Sequence, residues 1–113
     1  MLDRPAGRVV GPGVEHRIGP VSQIPRGEGR NFALGDRVVA VFRTHGDEVF
    51  ASQAECPHRQ GPLADGMLGG ATIMCPLLDR TYDLRTGAVL VGECGIDVFP
   101  VRFAEDGTLI VTV

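Results

Sequence analysis

Two short cysteine-containing segments carry the side chains best suited to metal chemistry in this sequence. Cys56 is followed by a proline and then His58, and Cys75 comes after sixteen further residues, again directly before a proline. Thiolate sulfur and imidazole nitrogen are ligands for iron and zinc, and a proline beside each cysteine indicates a turn. Leu78, three residues after Cys75, has no lone pair to offer a metal. The two turns therefore supply three donors.

The bulk composition limits the classes of protein that the chain can represent. Its 113 residues make one domain, and 16 glycines and 8 prolines predict many tight turns. A net charge of −3 argues against a nucleic-acid surface. No apolar run approaches the ~20 residues that span a bilayer, and the start of the sequence lacks the apolar stretch of a signal peptide. We therefore expect a cytoplasmic protein whose cysteines are metal ligands or free thiols.

The local sequence patterns predict strands and turns rather than helices. A β-branched run over residues 37–43, a turn over 44–47 and a second run over 48–53 predict a hairpin. Further strands are predicted over 71–74, 81–84, 88–91, 96–103 and 108–113, the last two joined by a turn at 104–107. No segment keeps a 3.6-residue apolar period, so long helices are not expected. This spacing of short strands indicates a small all-β sandwich or barrel.

The sequence predicts a tail followed by one domain that contains an inserted subdomain. Residues 1–13 are rich in Gly, Pro and Arg and are predicted to form a flexible tail. Residues 14–113 are predicted to form one domain. Within it, residues from about 54 to 87 have fewer strand signals and contain both cysteine segments, so we interpret them as a subdomain inserted between strands of the larger sheet.

The two segments together resemble a known family. Residues 56–66, CPHRQGPLADG, resemble the first cluster loop of the Rieske 2Fe–2S ferredoxin family, and residues 75–87, CPLLDRTYDLRTG, resemble the second loop and the strand after it. The closing VFPV at 98–101 also fits, so the similarity covers about residues 15–113. The resemblance implies an all-β Rieske-type sandwich (the ISP domain) with an inserted two-loop cluster-binding subdomain. Family members include dioxygenase ferredoxin components and the small subunits of NAD(P)H-dependent nitrite reductases.

The resemblance also implies a ligand set and a function. Cys56 and Cys75 match the thiolate ligands of a 2Fe–2S cluster and His58 matches one imidazole ligand, whereas Leu78 occupies the position of the second. Neutral imidazoles in place of two thiolates raise the potential to roughly −150 to +300 mV, against about −400 mV for plant-type clusters. The implied function is electron transfer between a reductase and an oxygenase or related enzyme. We accordingly expect redox protein partners, no nucleic acid or membrane partner, and no catalysis by the chain alone.

Leu78 leaves four hypotheses open for the metal centre. In the first hypothesis the cluster is absent, and the fold serves as a structural or partner-docking subunit like that of nitrite reductase. Alternatively, the cluster assembles on three protein ligands together with water, hydroxide or Asp79. A third hypothesis is a single zinc ion on Cys56, His58 and Cys75 with water in the fourth position. In the fourth, Leu78 is an altered position in an otherwise competent carrier.

The same loops separate the chain from the high-potential branch of the family. That branch carries an extra cysteine in each loop, joined as a disulfide, whereas this sequence has Gly61 and Leu77 at those positions. Arg80 replaces a serine that raises the potential in that branch, although Tyr82 matches its tyrosine. The sequence therefore resembles the lower-potential ferredoxin type.

The remaining candidate residues receive simpler interpretations. Cys94 is interpreted as a free thiol rather than as the missing ligand, and His45 as a solvated turn residue. Asp83 is expected to fix the turn that follows it by hydrogen bonding, and Leu63 is expected to pack beneath the loops as ordinary core.

Overall fold

Strands make up most of the regular structure of the chain. The computed structural model describes residues 7–11, 13–57, 61–77, 80–92 and 94–113. In these ranges the strands are β1 (Arg8–Val9), β2 (Glu15–Pro20), β3 (Glu28–Leu34), β4 (Arg37–Arg43), β5 (Val49–Gln53), β6 (Met67–Gly69), β7 (Thr72–Met74), β8 (Thr81–Asp83), β9 (Val89–Val91), β10 (Asp97–Phe99), β11 (Val101–Phe103) and β12 (Thr108–Thr112). The only helical segments there are two 3₁₀ turns, Val21–Gln23 and Leu63–Asp65. The predicted all-β class is confirmed, and none of the described helices could cross a membrane.

The described strands form three sheets. The largest has the strand order β1-β10-β5-β4-β3, the second has the order β11-β12-β2, and the third has the order β6-β7-β8-β9. All neighbours pair antiparallel except β1 and β10, which are parallel. The third sheet lies between β5 and β10 in the sequence, so it is an insertion relative to the five-stranded sheet.

Strand β4 is apolar along most of its length because both faces of its sheet are covered. Val39 and Val41 belong to one buried cluster, together with residues of the second sheet such as Leu109. Ala40 and Phe42 point to the opposite face and belong to a second cluster, which includes residues of the third sheet. Successive side chains of a strand point to opposite faces, so a continuous apolar run in β4 fills two cores at once.

The two predicted hairpins are present. In the turn after β4 the backbone N–H of Asp47 donates to the Thr44 carbonyl at 3.0 Å. Asp47 adopts a left-handed φ of 66°, and its carboxylate accepts hydrogen bonds from Arg26 at 2.8 Å and Arg43 at 3.0 Å. These two bonds hold a conformation that aspartate tolerates better than most residues. Strands β11 and β12 form the closing hairpin.

The prediction of a single strand over residues 96–103 is wrong, because the structure divides this segment into two strands at Pro100. Strand β10 before the proline pairs in the five-stranded sheet, and β11 after it pairs in the second sheet. Proline has no N–H and cannot donate to a ladder. The chain therefore changes sheets at the residue where the ladder is interrupted.

Part of the predicted tail also departs from expectation. Within residues 1–13, Arg8 and Val9 form β1, with the Arg8 N–H donating to the Ile96 carbonyl at 3.1 Å. The Arg8 guanidinium contacts the Asp97 carboxylate at 3.1 Å. A two-residue strand is too short to show a sequence period, so only its partner strand defines it. Residues 1–6 and 12 lie outside the described residues.

The third sheet packs against the five-stranded sheet through a shared apolar cluster. The buried members of this cluster, here called the subdomain core, are Ala40, Phe42, Cys56, Leu63, Ile73, Cys75, Tyr82, Leu84, Ile96 and Val98. The sheet continues to Val91, beyond the limit near residue 87 predicted for the inserted region. Both candidate thiols therefore lie in the layer between the inserted sheet and the main sandwich.

Candidate metal centre

The first ligand loop, residues 56–61, follows the end of β5 and is closed by the backbone. The N–H of Cys56 donates to the carbonyl of Gly61 at 2.8 Å. Just outside this bond, Glu55 and Pro62 form an isolated antiparallel bridge. The predicted ligand His58 lies in the stretch 58–60, outside the described residues, so its role stays a prediction.

The second ligand loop, residues 75–80, is the tip of the β7–β8 hairpin. The N–H of Cys75 donates to the carbonyl of Arg80 at 2.7 Å. This bond closes the loop over the same number of residues as the bond in the first loop. Leu78 and Asp79 lie outside the described residues. Each loop therefore places its cysteine at the first position of a backbone-closed turn.

The two loops contact each other at Gly61. A Cβ atom built on this glycine would lie 3.1 Å from the sulfur of Cys75 and 3.0 Å from the side chain of Leu77. Such distances are below ordinary van der Waals contact, so the close approach favours a residue without a side chain. Gly61 and Leu77 are also the positions at which the high-potential branch carries its extra cysteines, and the structure places them side by side.

Both sulfurs are buried around one tyrosine. The exposed fractions of Cys56 and Cys75 are 0% and 3%, and the Oη atom of Tyr82 lies 3.2 Å from the Sγ atom of Cys56. Burial raises the pKa of Tyr82 above its ordinary value, and the hydrogen bond to Cys56 and the nearby sulfur of Cys75 act in the same direction. The hydroxyl is protonated at neutral pH, as it is in any tyrosine, and the shift keeps it protonated over a wider alkaline range, so it can donate to a thiolate.

The thiol half of this site fits a 2Fe–2S cluster. Two thiolates buried in an apolar layer would be costly unless a cation were bound to them, and iron meets that requirement. Among the described residues no group of three His, Cys, Asp or Glu side chains converges. By sequence, the remaining predicted ligand is His58, and Leu78 supplies none.

The other residues singled out in the sequence take ordinary positions. The Cys94 sulfur contacts the carbonyl of its neighbour Gly95 at 3.5 Å, and Cys94 is not part of the subdomain core. The Asp83 carboxylate accepts the Arg85 N–H at 2.8 Å, as predicted for the turn. Leu63 is fully buried in the subdomain core, also as predicted, and His45 is exposed.

Sequence reasoning missed one residue beside the first ligand loop. Gln53, the last residue of β5, hydrogen bonds with both Glu55 and Asp97. No signal in the sequence marks it, because a polar residue at a strand end is common and its partner Asp97 is remote in the chain.

The family of the chain follows from a match that spans most of it. The model of the Rieske-like 2Fe-2S domain family matches residues 16–112. The chain belongs to this family, and the Rieske-type sandwich that the sequence predicts is confirmed.

Three similar proteins show the range of the family. The anthranilate 1,2-dioxygenase ferredoxin subunit of Burkholderia cepacia is 32% identical over 92 residues, which cover 80% of this chain and 84% of the relative. A chain in the complex of reduced oxygenase and oxidized ferredoxin of carbazole 1,9a-dioxygenase superposes with a TM-score of 0.76 at 26% identity, covering 89% of this chain and 94% of that one.

The third is a Mycobacterium tuberculosis protein described as an NADH-dependent nitrite reductase small subunit. Its structure superposes with a TM-score of 0.83 at 22% identity and covers 91% of this chain and 97% of that one. At this identity the likeness shows the shared fold alone.

Proposed function

We propose that the protein is a Rieske-type ferredoxin that carries one electron between a reductase and an oxygenase or related enzyme. One observation carries the proposal: two loops in contact hold two buried thiols around the hydroxyl of Tyr82. This arrangement suits a buried iron–sulfur cluster better than a surface zinc site or a pair of unrelated thiols. The proposed role is electron transfer, with no reaction performed by the chain alone.

Each residue of the site has a defined part in this proposal. Cys56 and Cys75 would hold one iron and His58 the other, and the bound cluster supplies one-electron redox chemistry. With Cys56 bound as a thiolate, the Tyr82 hydroxyl would donate to its sulfur and stabilise negative charge there. The apolar subdomain core keeps water from the thiolate side of the site.

The proposed partners are proteins. The dioxygenase ferredoxin relative and the oxygenase–ferredoxin complex both belong to multicomponent oxygenase systems. By analogy, we propose a reductase that donates the electron and an oxygenase or related enzyme that receives it. A cytoplasmic location fits the reduced thiols that this site requires.

A cluster-free subunit is the second candidate function, and one feature of the site favours it. Both ligand loops are closed by their own backbone hydrogen bonds, and both cysteines pack into the subdomain core. These bonds and contacts of the described loop residues need no metal, and Leu78 removes one expected ligand. A chain of this kind would act by docking to a partner.

The iron and acid-labile sulfide content of anaerobically purified and reconstituted protein separates the two candidates. An electron carrier is expected to bind about two iron and two sulfide per chain. Cys56→Ser and Cys75→Ser should each abolish that binding, whereas Cys94→Ser, the matched control on the third thiol, should retain it. Colourless, metal-free wild-type protein after reconstitution would rule out the carrier and leave the docking subunit.

A further inference from the structure

The first ligand loop is supported by fewer strand pairs than the second. The second loop continues directly from the paired strands β7 and β8. The first loop follows β5, whose ladder ends at Gln53. Beyond that ladder, its base is paired at the isolated bridge between Glu55 and Pro62. Two backbone hydrogen bonds flank the bridge: the Cys56 N–H donates to the Gly61 carbonyl at 2.8 Å, and the Leu63 N–H donates to the Ala54 carbonyl at 2.9 Å. This base is shorter than the β7–β8 ladder, so one added side-chain hydrogen bond has a larger share in fixing the position of its cysteine.

The side chain of Gln53 makes hydrogen bonds at the base of the first ligand loop. Its Nε2 atom donates to the backbone carbonyl of Glu55 at 2.7 Å, and its Oε1 atom accepts the backbone N–H of Asp97 at 2.8 Å. Only one orientation of the carboxamide satisfies both bonds, because a flip would set donor against donor and acceptor against acceptor. The amide thus joins the residue before Cys56 to β10.

The far end of this link is itself fixed. Asp97 begins β10, which pairs with both β1 and β5. Its carboxylate, only 10% exposed, contacts Arg8 at 3.1 Å and Arg37 at 3.5 Å. The Arg37 guanidinium also lies over the ring of Phe99 at 4.7 Å, a favourable cation–π distance. Gln53 therefore connects the loop to a rigid part of the sandwich.

We propose that Gln53 is a positioning residue for the first ligand loop, acting through its hydrogen bond to the Glu55 carbonyl. The bond holds the peptide that enters Cys56, and so sets the direction from which the Cys56 sulfur reaches the site. The significance of this position for a cluster rests on the proposed function. The link between Gln53 and the loop does not, because it is made by the protein alone.

Two substitutions distinguish the link to the loop from the link to the sheet. Gln53→Glu keeps the acceptor for the Asp97 N–H and loses the donor to Glu55, whereas Gln53→Met loses both. We expect the amides of Cys56 and Leu63 to exchange with solvent about three- to tenfold faster in both variants, which corresponds to one ordinary hydrogen bond. The Asp97 amide should exchange faster in Gln53→Met alone, and the β4 amides should keep their wild-type rates.

A matched control lies far from the loops. Gln23 makes the same kind of bond, from its Nε2 atom to the Ile18 carbonyl at 2.7 Å, so Gln23→Glu should leave the Cys56 and Leu63 amides unchanged. Wild-type exchange of these two amides in Gln53→Glu would overturn the proposal. Faster exchange spread equally over β4 would overturn it too, because it would show a general loss of stability.

A second readout tests the consequence for the cluster. Iron release from reconstituted protein to a chelator should be faster in both Gln53 variants, by a factor similar to that of the amides, and unchanged in Gln23→Glu. Iron release at the wild-type rate in both Gln53 variants would contradict the positioning role. If wild-type protein takes up no iron, the proposed function fails, and the amide exchange still decides whether Gln53 holds the loop.

Discussion

The two ligand loops share one backbone construction but differ in how the fold supports them. Each begins with its cysteine, and each is closed by a hydrogen bond from the cysteine N–H to a carbonyl at the loop's far end. The second loop takes its position from the β7–β8 ladder, whereas the first depends on an isolated bridge and on Gln53. Backbone bonds and packing therefore place the sulfurs, and these contacts do not depend on a histidine at position 78.

The loops also complete each other. Tyr82, on the strand after the second loop, reaches the sulfur of the first at 3.2 Å. Gly61, at the end of the first loop, leaves space for the sulfur of Cys75. Neither loop alone forms the buried site, so a substitution in one loop should alter the surroundings of the cysteine in the other.

The largest expected effect comes from giving the second loop the ligand that its sequence lacks. Leu78→His adds an imidazole at the expected position, so reconstituted protein should create or strengthen a Rieske absorption and EPR signal relative to the wild type. The reason is that two imidazoles complete the ligand set of the second iron.

Leu77→His is the matched control for this prediction, because it adds the same side chain at the neighbouring, half-exposed position. It should not produce the signal. If Leu78→His protein shows no gain after reconstitution, the loops are not preorganised for a cluster.

A smaller effect is expected from forcing the two loop-bearing segments apart. A Cβ on Gly66, which follows the first-loop segment, would lie 2.2 Å from the Met74 carbonyl just before Cys75. Gly66→Ala should therefore lower the free energy of unfolding by roughly 1–3 kcal/mol, as measured by urea denaturation.

The matched control is Gly69→Ala in β6, where the nearest atom would be a Thr72 oxygen at an ordinary 3.5 Å. Its unfolding free energy should stay close to that of the wild type. Equal stability of both variants would show that the Gly66 contact is easily relaxed.

The smallest expected effect is a pH dependence from Tyr82. Burial raises the pKa of this hydroxyl in the folded state, so the folded protein keeps a proton that the unfolded chain releases above about pH 10. Its contribution to stability is therefore complete below that pH and is lost as the pH rises further. Tyr82 is the only tyrosine and the chain has no tryptophan, so tyrosinate absorbance reports this residue alone.

We expect the tyrosinate signal to appear at a higher pH in folded protein than in urea-unfolded protein. Tyr82→Phe should abolish the signal. Titration of folded Tyr82 at its ordinary pKa would show that the two loops do not enclose it. In a Gly66→Ala variant that still folds, Tyr82 should titrate at a pH between those of folded and urea-unfolded wild-type protein, because separated loops admit water to the hydroxyl.

Several features of the fold could be predicted because they depend on local chemistry. The β4–β5 hairpin follows from a β-branched run and a turn, and the Asp83 turn from an aspartate that hydrogen bonds its own backbone. Two features could not be predicted. The strand break at Pro100 depends on which sheet each half joins, and β1 exists only because β10 lies beside it.

The same division applies to the candidate site. The sequence by itself determined the chemical types of the predicted ligands, the two turns that carry them and the family, because these depend on residue identity and spacing. Only the tertiary structure decided that Tyr82 meets Cys56, that Gly61 meets Cys75 and that Gln53 joins the first loop to Asp97. These contacts join residues that are distant in the chain, and the packing of two sheets against each other brings them together.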